Sequence, residues 1–430
     1  MRRKLPLTIV FMSTLLAFAC SGDIIEDESF TSRTETGTLP EVDIVKISTA
    51  GKSANIECAI ISEGTAGIKR TGIVYSKTNK KPIIKGEGCS YRALIADDEG
   101  NFKGSITTVT VDAMYFIRAF AISNNSDTIY SEVDSFKITK QNPKIETLPV
   151  ENRVKFGAIV CGRFIDAGNQ GIKSWGCCIA KHALTKQRDF AKSKMKDTFE
   201  AAADTAKDEV YHGEFGIFFD NLTENTMYHT RAYVITEEKD TIYGEDRIFK
   251  TSKGGKFNWE WASNYEGAVA DGAAERIKVA MDSAKYYYDN YSNMEKRIYV
   301  EYNTGVPTAD CAITGWMRFG SNSRYQWVGT AEHECAHALG VGTASNWGSL
   351  MVNGSWKKSV AQRTQRAMLK DQQQVLKGDG MHFWNGGINQ QEEVTNGTTN
   401  SYGVVIKNER MLKTNALIVN GMRIDGLTSY

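Results

Sequence analysis

One block of sequence occurs twice in the first 250 residues, and it restricts the fold more than any other feature. Ala113–Lys137 reads AMYFIRAFAISNNSDTIYSEVDSFK, and Thr226–Lys250 reads TMYHTRAYVITEEKDTIYGEDRIFK. Upstream, Gly67–Lys77 (GIKRTGIVYSK) matches Gly171–Lys181 (GIKSWGCCIAK). A repeat spacing that grows from 104 to 113 residues between the two blocks is that of whole domains, not of a solenoid. The growth implies an insertion in the second copy, expected in the polar stretch Lys186–Lys207. Each copy alternates apolar and polar residues in short runs, such as Phe116–Ile122 and Thr230–Ile235. Polar turns separate the runs, such as Asn124–Asp127 and Glu237–Asp240. That pattern predicts two antiparallel β-sandwiches.

The repeated block resembles the fibronectin type III-like and immunoglobulin-like modules of bacterial surface proteins. The resemblance spans Pro40–Thr251 and implies one module over 40–140 and a second over 141–251. It carries fold and little chemistry. His182, His212 and His229 are dispersed in the second copy and read as ordinary surface or half-buried histidines. Ser252–Lys256 (SKGGK) reads as a linker.

The N-terminus reads as a processing signal. MRRK is followed by the apolar run Leu5–Ala19, too short to span a bilayer well and suited to a signal core. Leu16–Cys20 (LAFAC) resembles a lipoprotein signal, with 1–19 removed, Cys20 lipidated and 20–39 a tether. The acidic Glu26-Asp27-Glu28 is similar to the tethers of surface lipoproteins in Bacteroides-type bacteria. These resemblances imply an outer-membrane or cell-surface location, anchored by lipid; the alternative is a soluble secreted form, since Ala17-Phe18-Ala19 also satisfies the small-x-small rule for ordinary secretion. Lys+Arg is 52 and Asp+Glu is 51, a net charge of +1, which gives no basic excess for a nucleic-acid partner. Without Cys20, seven scattered cysteines remain with no CxxC pair, and they read as small buried hydrophobes.

Residues 256–430 carry the chemistry. Ala268–Tyr291 has helical periodicity, Lys296–Asn303 and Gly315–Gly320 read as strands, and Thr330–Gly340 as a helix. The expected class is α+β. His333 and His337 stand four apart on that helix, on one face. Two imidazoles so placed can share a Zn²⁺ ion, and Glu334 can take a proton from the water the metal activates. The chain holds only six histidines, so an HExxH is informative.

The string HECAHALGVGT followed by Ser349-Leu350-Met351 resembles the metzincin metallopeptidases. The resemblance implies that Gly340 turns the chain after the helix and that Met351 forms an apolar floor under the ligands. It also implies a substrate strand above the metal, for which Trp316–Phe319 is the candidate edge. The metzincin pattern places a third His where this chain has Thr343. His382, in Gly378–Trp384 (GDGMHFW), is the expected substitute ligand, with Asp379 and Thr343 as the other candidates. Lys357–Leu376 reads as a polar helix leading to that loop. Ser401–Tyr430 reads as a closing hairpin around Asn420-Gly421. The function this implies is a zinc endopeptidase, monomeric, acting on extracellular protein or glycoprotein. The alternative is a surface adhesin or glycan-binding lipoprotein with a degenerate zincin domain.

Overall fold

A computed structural model describes residues 37–183, 194–197 and 213–428. The expected signal segment, Cys20 and most of the Lys186–Lys207 insertion lie outside the described residues. Among the described residues, no helix is long and apolar enough to cross a membrane.

The architecture is mostly β-sheet, and the sequence duplication is a duplication of topology. The first copy contains β1 (Glu41–Ala50), β2 (Ser53–Ser62), β3 (Ile68–Ser76), β4 (Cys89–Leu94), β5 (Asn101–Ile106), β6 (Met114–Ser123), β7 (Thr128–Tyr130) and β8 (Asp134–Lys137). The second contains β9 (Lys144–Thr147), β10 (Gly157–Asp166), β11 (Ile172–Ala180), β12 (Lys194–Asp197), β13 (Gly213–Asp220), β14 (Met227–Thr236), β15 (Thr241–Tyr243) and β16 (Arg247–Lys250). Sheets β1-β2-β5 and β4-β3-β6-β7 recur as β9-β10-β13 and β12-β11-β14-β15, with β8 on β6 and β16 on β14. In the first copy Ile56 and Phe102 of one sheet share a core with Ile73, Ile117 and Ala119 of the other. This is consistent with the expected sandwiches.

The repeated letters have a physical basis. The Tyr of MYxxRA stacks on the Phe of the closing FK: Tyr115 on Phe136 at 5.3 Å and Tyr228 on Phe249 at 5.7 Å. Its hydroxyl accepts a backbone N–H five residues upstream, from Thr110 at 3.1 Å and Thr223 at 2.9 Å. The Arg donates to the carbonyl of the residue after DTIY, Ser131 or Gly244, and lies over the DTIY tyrosine. These contacts tie neighbouring strands of one sheet together in each copy.

The third unit contains β17 (Lys256–Ser263), α1 (Tyr265–Ala270), α2 (Ala274–Tyr291), β18 (Glu295–Tyr302), β19 (Ala309–Cys311), β20 (Trp316–Phe319) and α3 (Val328–Ala338). It continues with α4 (Trp347–Leu350), β21 (Met351–Val352), β22 (Ser355–Trp356), α5 (Ser359–Leu369), β23 (Lys377–Gly378), β24 (Phe383–Trp384), α6 (Gln391–Thr395), β25 (Thr398–Thr399), β26 (Val405–Ile406) and α7 (Glu409–Ile424). The sheet order is β17-β18-β20-β19, parallel except for β19.

Four expectations are corrected here. The single helix over Ala268–Tyr291 is two, broken at Asp271-Gly272. Trp316–Phe319 is an interior strand paired on both sides, and the edge belongs to β19. The helix expected over Lys357–Leu376 is shorter, and its Val360, Thr364, Ala367 and Met368 are buried. The C-terminal segment is no hairpin. Met411, Leu412, Ala416, Leu417, Ile418, Val419 and Met422 are buried around the whole circumference of α7, and a helix that is apolar all round belongs in a core. Its Asn420-Gly421 is no turn: a Cβ on Gly421 would sit 2.9 Å from the Ala361 Cα, so the glycine lets α5 and α7 cross closely.

The Ser252–Lys256 segment is docked and not free. The amides of Gly255 and Lys256 donate to Asp289 and Met294 at 2.9 Å each. Leu148, Val154, Ile159, Cys161 and Phe218 of the second copy share one core with α2, α3 and α7. Buried Asn152 donates to Thr364 Oγ1 (2.8 Å) and the Leu417 carbonyl (3.0 Å), and accepts from Asn420 (2.7 Å). Arg363 bridges Glu214 (2.9 Å) and Glu151, and Arg163 also holds Glu214 at 2.6 Å. Orphaning such buried polar groups costs about 1–3 kcal/mol each. The second sandwich and the third unit are therefore expected to unfold together. A chain beginning at Lys256 should melt well below one beginning at residue 141, while removal of residues 37–140 should shift the melting temperature little. Equal melting of the two shorter chains would contradict this.

The joint also carries a pH dependence. Burial raises the Glu214 carboxyl, but hydrogen bonds from Arg163 and Arg363 outweigh it, so its pKa lies below the ordinary value. A depressed carboxylate stabilises above its unfolded pKa and loses that contribution as pH falls through its folded pKa. The melting-temperature gap between wild type and Glu214→Gln should be constant near neutrality and close below about pH 4. A gap that widens on acidification would contradict it.

Candidate metal centre

The geometry of the site begins at the C-terminus of α3. The Gly340 amide donates to the His337 carbonyl and the Val341 amide to the Ala336 carbonyl, both at 3.0 Å. This is the paired-bond helix stop that favours glycine. Gly340 has φ +107°, and a Cβ there would overlap the Thr428 carbonyl oxygen. The turn delivers the Val341 carbonyl to His337 Nδ1 at 2.8 Å. His333 Nδ1 faces the Ile388 carbonyl at 2.9 Å. The Ile388 segment lies along α3 because Asn389's carbonyl accepts from Trp327 Nε1 (3.0 Å) and Thr330 Oγ1 (2.7 Å).

A carbonyl only accepts, so each Nδ1 carries the proton and each Nε2 carries a lone pair. The two Nε2 atoms stand 3.1 Å apart. Nitrogens bound at 2.0–2.1 Å to one tetrahedral cation stand about 3.3–3.4 Å apart. Two facing lone pairs at this distance repel unless a cation lies between them.

His382 completes the cluster from a separate element. It sits at the tip of the hairpin β23–β24, with Gly378 opposite Phe383 and the Asp379 amide bonded to the His382 carbonyl at 3.0 Å. Its ring centroid lies 5.3 Å from those of His333 and His337, which are 4.8 Å from each other. One ligand atom from each of the three falls within 4.8 Å of the others.

Thr343 is not positioned as a ligand: its hydroxyl donates to the His337 carbonyl at 2.5 Å. Asp379 is not among the converging groups. Met351 is buried, and a Cβ on Gly378 would sit 2.5 Å from its Cε. The methionine therefore packs under the hairpin that presents His382. Gly342 has φ +68°, and a Cβ there would overlap the Met381 backbone. The second glycine of the GVG string thus permits the hairpin tip to close on the helix end.

Burial comes first among the causes that push His333 down to about 3, followed by the neighbouring His337 and His382. Burial likewise lowers His337, partly offset by its bond to the Val341 carbonyl. Both rings are neutral near pH 7 and ready to ligate. Glu334 is 3% exposed, and no described residue donates to its Oε2. Burial, then the charge of Asp310, pushes its carboxyl up to about 8. A buried carboxyl in that state lacks a counter-charge, and a cation in the triad would supply one. Three imidazoles suit zinc and other late first-row metals, and not calcium or magnesium.

Of the histidines expected to be ordinary, His229 pairs with Asp246 at 2.8 Å. His212 lies outside the described residues. The seven cysteines 58, 89, 161, 177, 178, 311 and 335 are free, and all but Cys89 are buried. Sequence reasoning missed Val341, Gly342, Ile388 and Asn389, which fix the rings. Only the two glycines around Val341 gave a signal.

No family model and no curated protein matches this chain.

The glycine contact gives a test. Gly342→Ala should weaken zinc binding by about 10- to 100-fold, the usual loss for a disturbed ligand support, with the circular-dichroism spectrum unchanged. Gly348→Ala, where a Cβ meets nothing within 4 Å, should bind as wild type. Tight binding by Gly342→Ala would contradict the stated role of this glycine.

Proposed function

We propose that this chain is a zinc-dependent endopeptidase of metzincin-like design, acting on extracellular proteins or glycoproteins. The observation that carries the reading is the pair of Nε2 lone pairs 3.1 Å apart, with a third imidazole beside them and, on the neighbouring residue, a buried carboxyl whose Oε2 has no partner among the described residues. The sequence likeness over Ala331–Met351 supports it. So does the sheet, whose antiparallel edge strand β19 packs against the histidine helix.

In this reading His333, His337 and His382 would hold zinc, which when bound would supply a Lewis acid for a carbonyl and lower the pKa of water. Glu334 accepts the proton of the attacking water and passes it to the leaving amine. Its carboxyl is buried on the residue next to a ligand, and a cation in the triad would favour the ionised form that acts as a base. The free edge of β19 offers backbone groups to an extended peptide, which would add as a further strand. Cys20 as the lipid attachment point, and the cell surface as the location, rest on residues 1–28 alone.

The test is zinc content together with hydrolysis of a quenched-fluorescent peptide library. The mature wild-type chain should hold about one zinc and cleave. Glu334→Gln should keep the zinc and lose about 10²- to 10⁴-fold in kcat, the range for a positioned general base. Zinc bound with no cleavage of any peptide would favour the non-catalytic surface protein. Full activity in Glu334→Gln would remove the assigned base.

A further inference from the structure

The three imidazoles are not supported alike. His333 and His337 are buried on a helix and give their Nδ1 protons to backbone carbonyls. His382 stands on a hairpin tip with nearly half of its side chain exposed, and its Nδ1 lies 3.6 Å from a carboxylate oxygen, Asp379 Oδ1. That distance is too long for a hydrogen bond. The Asp379 oxygen itself cannot drift. It accepts the amides of Met381 and His382 at 2.7 Å each. The Asp379 backbone is held by its own amide to His382 and by Trp347 Nε1 to its carbonyl at 2.9 Å. The carboxylate is therefore a fixed post, and the imidazole is the part free to turn.

We propose that Asp379 is the positioning residue of the third ligand: its carboxylate takes the His382 Nδ1 proton and so turns Nε2 into the triad. The inference rests on the metal-centre reading above and goes beyond it, since it assigns the carboxylate to holding a ligand and not to the metal. When Nε2 binds a cation, Nδ1–H becomes a stronger donor, and Asp379 Oδ1 is the acceptor a short ring rotation away. A carboxylate partner also makes the imidazole a more basic ligand than a carbonyl partner does. The exposed third ligand thus receives the stronger support, which offsets the rotational freedom that burial removes from the other two. The DGMH turn serves two ends at once, since the same oxygen that shapes the tip receives the ring.

The experiment compares zinc affinity, the visible spectrum of the Co²⁺-loaded protein, and metal-free melting in wild type, Asp379→Asn and His382→Ala. Asparagine keeps an oxygen for the two backbone amides and removes only the charge. Asp379→Asn should melt like wild type without metal, bind zinc about 10- to 100-fold more weakly, and shift the Co²⁺ bands. If Asp379→Asn binds zinc and Co²⁺ as wild type does while His382→Ala binds weakly, Asp379 only shapes the turn and the proposal fails alone. If wild type takes up no stoichiometric metal, or His382→Ala binds as tightly, the metal-centre reading fails and carries the proposal with it.

Discussion

Two backbone carbonyls decide what the histidine helix can do. Val341 and Ile388 each take an Nδ1 proton, and this fixes the tautomer and tilt of both rings. With those protons committed, the opposing nitrogens have nothing to offer each other but lone pairs. A helix alone would place the imidazoles on one face, but it would not aim them. The aim comes from the glycine stop that turns Val341 under His337, and from the loop after the His382 hairpin that runs along α3.

The third imidazole reaches the helical pair from a separate element, as the sequence leads one to expect. Thr343 bonds to the helix it follows, which seals the last turn and leaves a gap in the donor set. A hairpin whose tip abuts Gly342 and whose base rests on Met351 fills that gap. The hairpin is in turn backed by α5, since Gln365 donates to the carbonyls of Trp384 and Asn385 at 3.1 and 2.6 Å. The α5 and α7 helices bear on the second sandwich through Asn152, Arg363 and Glu214. The second sandwich thus belongs partly to the scaffold of the site.

Much of this was legible in the residues. The duplication announced two copies of one β-rich module, because MYxxRA, DTIY and the closing FK are the letters whose side chains bond neighbouring strands of one sheet in each copy. HExxH and the later MHFW gave all three imidazoles, because histidine is rare enough here for elimination to work. The C-terminal helix was misread, because a segment buried on every side has no polar face and so no period to detect. The edge strand was misassigned, because Ala309–Cys311 is three residues long and carries too little pattern to register beside the stronger Trp316–Phe319. The carbonyl partners were invisible for a different reason. Any residue supplies a carbonyl, so only the backbone path reveals that Val341 and Ile388 are the ones in place.

The central claim is that three imidazole nitrogens share one cation, and X-ray absorption at the zinc edge tests it most directly. The zinc-loaded wild-type chain should give nitrogen scatterers near 2.0–2.1 Å with the outer-shell pattern of three imidazoles, falling to two in His382→Ala. A spectrum fitted by sulfur, or by oxygen with fewer than two imidazoles, would contradict it.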